Sequence, residues 1–114
     1  MKLVKANSLK EEGTSHNPEV KKQVILRKGD LPHQMMLGTA VLQPGQQVSP
    51  HSHDSMHEVF VMQEGQLEFI VNQNSYVLEQ GDCITIAPKE THRIKNTTNQ
   101  PAKMLYYGIA ENKQ

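Results

Sequence analysis

The sequence has no tryptophan, one cysteine and no excess of charge of either sign. Each shortage excludes something. A single cysteine, Cys83, permits no internal disulfide, which fits a reducing compartment. Lys plus Arg and Asp plus Glu number 12 each, so no basic patch announces nucleic acid and no acidic tail announces a basic partner. Near-neutrality also leaves little long-range repulsion between copies, so self-association is permitted. The first residues are charged throughout and lack the apolar run of roughly seven or more residues that a signal peptide needs. No apolar run approaches the ~18 residues of a membrane span. These readings predict a cytoplasmic protein with neither a membrane nor a nucleic-acid partner. The chain is only 36% hydrophobic over 114 residues. That is enough for one domain with a thin core, and a sandwich or closed barrel suits it better than a thick multilayer fold.

What is present is strand signal. Residues 1–19 are polar and read as a loosely ordered lead-in, and the barrel unit is expected over 20–110. β-rich or alternating runs at 20–28, 35–43, 58–63, 66–71, 75–79, 83–87, 92–96 and 102–109 are separated by turn residues such as Gly29, Pro44, Gly65 and Gly81. That predicts about eight strands and an all-β sandwich or barrel. No segment holds a 3.6-residue period over a useful helical length.

Six histidines occur, at 16, 33, 51, 53, 57 and 92. In extended backbone, His51 and His53 point to one face and can share a metal. Alone, such a pair reads equally well as two exposed histidines in a polar loop. Imidazoles with one carboxylate suit Mn, Fe, Co, Ni, Cu or Zn. The surrounding string runs Gly45, five residues, His51, one residue, His53, four residues, Glu58, six residues, Gly65. Downstream, Gly81 and Asp82 are followed by an apolar strand, a turn, His92, three residues and Asn96.

These strings resemble the two motifs of the small single-domain cupins. The resemblance implies a double-stranded β-helix, the jelly-roll barrel. It implies that His51, His53 and Glu58 are ligands from the first motif and His92 from the second, around one divalent metal (Mn, Fe, Ni or Zn). Four protein ligands on a six-coordinate metal leave two positions open, which is a catalytic rather than a purely structural arrangement. His57, directly before Glu58, is the alternative ligand, since some small cupins carry a histidine in place of the glutamate; the spacing to Gly65 favours Glu58. Members of the family usually have Pro and then Gly in the turn before the second-motif histidine. Here those places hold Ala87 and Lys89, with Pro88 between them, so a different turn shape is expected.

The implied function is that of a metal-dependent enzyme acting on a small polar chelating molecule, with a dioxygenase-type oxidoreductase as the first guess and Glu58 able to serve as base. The alternatives are a small-molecule or sugar-binding module without turnover and a sugar isomerase or epimerase. A homodimer is also implied, with the strand from Val20 as the exposed edge. Phe60 shares strand parity with Glu58 and is expected in the pocket wall. Met35, Met36, Met56, Met62 and Met104 read as gap fillers of the core. Cys83 reads as a structural thiol, buried or half-buried. One of Tyr106 and Tyr107 is expected to face inward. Lys89, Glu90 and Arg93 read as solvated charges, and His16 and His33 carry no assigned role.

Overall fold

The structure is a computed structural model, and it describes residues 1–111. Among these, ten strands and one short 3-10 turn (Ala6–Ser8) carry the regular structure, and no helix is long and apolar enough to cross a membrane. The strands are β1 (Glu11–Thr14), β2 (Asn17–Leu26), β3 (Gln34–Leu42), β4 (Gln47–His51), β5 (Met56–Glu64), β6 (Leu67–Val71), β7 (Asn74–Leu78), β8 (Cys83–Ile86), β9 (His92–Lys95) and β10 (Ala102–Ala110). They form a six-stranded sheet in the order β1-β2-β3-β10-β5-β8 and a four-stranded sheet in the order β4-β9-β6-β7. Every pairing is antiparallel. The two sheets make the jelly-roll barrel.

Alternation builds the interior. On β6, Leu67, Phe69 and Val71 are buried while Glu68 and Ile70 are partly exposed. On β5 the inward parity carries Glu58, Phe60 and Met62, and on β10 it carries Met104 and Tyr106. Phe60 packs against Phe69 of the opposite sheet with ring centroids 5.2 Å apart, the spacing of a favourable aromatic pair. The inward positions of β9 are held by His92 and Ile94, so a histidine occupies a place that the pattern reserves for a core side chain.

Turn chemistry sets the register. Asn72 and Gln73 both take positive φ (48° and 76°) between β6 and β7, the backbone of the two-residue hairpin turn that matches strand twist. Gly65, between β5 and β6, has φ 77°, and a Cβ there would lie 2.7 Å from the Pro101 carbonyl oxygen. Neither condition suits any other residue.

The structure departs from the sequence reading in four places. The lead-in holds a strand, β1, whose polar residues pair with β2 from Glu11 opposite Gln23 to Thr14 opposite Asn17. Consequently the strand containing Val20 is not an edge, since β1 covers it on one side and β3 on the other. β4 was also unforeseen, and a bulge between Val48 and His51 breaks its parity. Cys83 is exposed rather than buried: it lies on edge strand β8 with the outward parity, while Ile84 and Ile86 point inward.

Candidate metal centre

Four side chains from distant parts of the chain converge at one end of the barrel. His51 ends β4, His53 lies in the β4–β5 connection, Glu58 is on β5 and His92 opens β9. His51 and His92 are direct cross-strand partners in the four-stranded sheet. Glu58 comes from the six-stranded sheet, so the cluster spans the barrel interior. One donor atom from each of the four lies within 4.8 Å of the others. His53 is not on the strand of His51, as simple alternation predicts. The bulge and the bend after β4 bring it in instead, and the Lys89 N–H donates to the His53 carbonyl at 2.6 Å and holds that segment.

The imidazoles are oriented by their far nitrogens. His51 Nδ1 lies 2.8 Å from the Ser49 carbonyl oxygen, and His92 Nδ1 lies 3.1 Å from that of Glu90. When Nδ1 carries the hydrogen, Nε2 presents its lone pair to the cluster, which is how a protein prepares a metal-binding histidine. Burial lowers His51 to about 4, against the raising effect of the Ser49 carbonyl, so its ring is neutral at pH 7. Burial also works against the charged form of His92. The close Glu58 carboxylate and the Glu90 carbonyl outweigh it, and the net shift is upward. Burial pushes Glu58 up, but the three surrounding histidines, led by His92, bring it below the ordinary carboxylate value.

Glu58 Oε1 and His92 Nε2 carry the test of fit. They lie 3.0 Å apart, and His53 Nε2 lies 3.2 Å from the same oxygen. Yet, among the described residues, neither that Oε1 nor Nε2 of His92, both buried, has a partner in hydrogen-bonding geometry. Two unsatisfied buried polar atoms facing one point are costly unless something binds both. Ligands about 2.1 Å from a common ion lie roughly 3–4.3 Å from one another, so the cluster fits a divalent transition metal with shifts of a few tenths of an ångström. The donor set, imidazole nitrogen with one carboxylate oxygen, suits such an ion.

His57 is exposed on the opposite face of β5 and takes no part in the cluster. Phe60 lies under the site, its ring centroid 6.2 Å from those of His92 and Tyr106. Tyr106 is the inward tyrosine. The turn before His92 takes the shape that a glycine would supply, with Lys89 at φ 71°. Glu90 braces that turn, accepting from the Ala87 N–H at 2.8 Å and from Asn72 Nδ2 at 3.0 Å; it is thus more than a solvated charge. Arg93 donates to Gln47 Oε1 across β9 and β4.

Two residues escaped the sequence reading. His16, in the β1–β2 turn, stacks on His51 with centroids 3.8 Å apart and walls the cavity above the cluster. Its turn is pinned to β4 by Ser49 Oγ donating to the His16 carbonyl and by Asn17 Nδ2 donating to that of Gln47. Only this docking, a tertiary contact, gives it a place at the site. Lys22 also faces the cavity, and its parity with Val20 was a usable signal. Met36 lines the same space instead of filling the core.

Comparison with known proteins agrees with this fold. The family model for the cupin domain matches residues 38–107. An uncharacterised protein of Methanocaldococcus jannaschii is 30% identical over 69 residues, covering 60% of this chain and 55% of that protein. The tetracenomycin polyketide synthase protein TcmJ of Streptomyces glaucescens is 31% identical over 70 residues, 61% of this chain and 47% of its own. The chain thus spans about half the length of the curated relatives it matches. Among solved structures, a predicted oxalate decarboxylase of Thermotoga maritima superposes with a TM-score of 0.87 at 23% identity, over 96% of this chain and 99% of that one. KdgF of a Halomonas species gives 0.78 at 12% identity, over 96% and 94%. At these identities the structures speak for the fold alone. The matched family model covers more than half of the sequence, and the chain belongs to the cupin family.

Proposed function

We propose that this cupin is a metal-dependent enzyme acting on a small chelating molecule, with oxidation by dioxygen as the first reaction to test. The observation that supports it most is the pair of unsatisfied buried atoms, Glu58 Oε1 and His92 Nε2, beside a cavity of about 160 Å3 that Glu58 helps to line. His51, His53, Glu58 and His92 would hold the ion. A bound divalent metal would supply Lewis acidity and, as iron, manganese or nickel, a redox centre. The chain's own residues supply the rest. Glu58, the one anionic donor, would take up the proton that a hydroxyl or enol gives up on binding. Phe60 closes the floor, and His16 covers one wall.

Protein loaded with iron or manganese in turn, and supplied with candidate hydroxy acids and enols, is expected to consume oxygen and release a product. His51→Ala should lose both metal and turnover. Tight metal-dependent binding without any product would replace the enzyme by a non-catalytic binder. Activity undiminished by a strong chelator would replace it by a metal-independent isomerase. The homodimer belongs to the same proposal and is tested by light scattering of the full chain.

A further inference from the structure

The cavity over the four donors is walled mostly by apolar side chains, among them Val20, Ala40, Val48 and Met104, but two strong hydrogen-bond donors enter it. Lys22 comes from β2 and Tyr106 from β10. Among the described residues each finds only the Met36 sulfur: Lys22 Nζ lies 3.7 Å from Met36 Sδ, and Tyr106 Oη lies 3.6 Å from it. A thioether is a weak acceptor. Among the described residues, Lys22 has no carboxylate within 4.0 Å. Its cross-strand neighbour Glu12 is already engaged by Arg27. An ammonium and a phenol side by side in an apolar cavity, both bonded only to sulfur, lack the strong acceptor that would use them. The ordinary acceptor for such a pair is an anionic oxygen.

We infer that Lys22 and Tyr106 form the recognition end of the cavity, and that its ligand is a small anion with a chelating group at one end and a carboxylate at the other. The chelating end would meet His51, His53, Glu58 and His92, so the inference rests on the metal-site reading above. The carboxylate would accept from Lys22 Nζ and Tyr106 Oη, displacing Met36 as their partner. Size restricts the class further. A cavity of about 150 Å3 takes up a benzene-sized molecule, so on the order of six to nine non-hydrogen atoms fit, which indicates a short hydroxy or oxo dicarboxylate. A long-chain or polycyclic ligand would have to protrude through the mouth.

The test uses two probes that share a hydroxy-acid end: malate, whose far end is a carboxylate, and 2-hydroxybutyrate, whose far end is a methyl group. Calorimetry on the metal-loaded full chain is expected to show malate binding about tenfold or more tighter, the contribution of one charge-assisted hydrogen bond. Lys22→Met should abolish that preference, while metal content and 2-hydroxybutyrate affinity stay as in the parent protein. Lys22→Arg should keep the preference, and Tyr106→Phe should reduce it by less than Lys22→Met does. Equal binding of the two probes by the parent protein, or a preference untouched by Lys22→Met, overturns the inference while leaving the metal site standing. Binding of both probes that is unchanged when the metal is removed would instead remove the reading on which it rests.

Discussion

Metal binding should show in stability as well as in chemistry, because the donors belong to both halves of the fold. His51 and His92 are cross-strand partners in the four-stranded sheet, and Glu58 comes from the six-stranded one. An ion held by all of them ties the sheets together and satisfies the two unpartnered buried atoms, which the unfolded chain cannot do. At a free metal concentration 100 times the dissociation constant, linkage adds about 2.7 kcal/mol to the folded state. Unfolding a chain of this length carries an entropy on the order of 0.24 kcal/mol per degree, so Tm should rise by roughly 11 °C. His51→Ala removes one donor from the cluster. If that weakens binding about a hundredfold, the same metal concentration adds only ~0.4 kcal/mol, or about 2 °C. Without metal, the variant should unfold within about 1 kcal/mol of the parent, because the core is apolar and the His51 ring lies at its rim. Calorimetric melts at buffered free metal, for both proteins with and without the ion, measure all four quantities. An equal metal-induced rise in parent and variant would place the ion elsewhere and refute the assignment. A metal-free variant that is globally unfolded would make His51 part of the core rather than of a site.

Asn96→Ala should cost about 2–4 kcal/mol in urea denaturation, since the buried amide donates to the Leu42 and Gln100 carbonyls and accepts from Thr98, and all of these bonds would be lost. Lys89→Gly should stabilise the protein by up to about 1 kcal/mol, because φ 71° strains any side chain and the N–H to the His53 carbonyl survives the change. His57→Ala should leave metal content unchanged, as measured by elemental analysis of the purified variant. Burial raises Tyr106 to about 12, so between pH 10 and 12 the folded chain holds more protons than the unfolded chain. Stability should therefore fall as pH rises through that window, by about 2 kcal/mol from this group, and the stability of Tyr106→Phe should lack that part of the slope.

The convergence of His51, Glu58 and His92 was legible through the resemblance of their spacings to the two cupin motifs, and the turn glycines and strand period are consistent with it. Gly45 and Gly65 bound the first stretch, and the inward parity of β5 places Glu58 with Phe60 and Met62 while sending His57 outward. The parts that stayed hidden depend on contacts the period does not encode. β1 is a polar tetrapeptide with no strand signal of its own, and it is extended only because the edge of β2 offers it hydrogen bonds. His53 reaches the cluster through a bulge and a bend, where alternation no longer predicts direction. His16 matters only once the β1–β2 turn docks on β4. Lys22 is the opposite case. Its inward parity was visible beside Val20 and Val24, but a lysine there is legible as a ligand-binding group only when the cavity, the Met36 sulfur and the absent carboxylate are seen together. In this fold the four-donor cluster follows the motif spacing, while the selectivity proposed above would reside in the polar side chains that interrupt otherwise apolar inward positions. If Lys22 can be exchanged for methionine with no effect on any anion tested, that division between motif and wall does not hold here, and the cavity selects by shape alone.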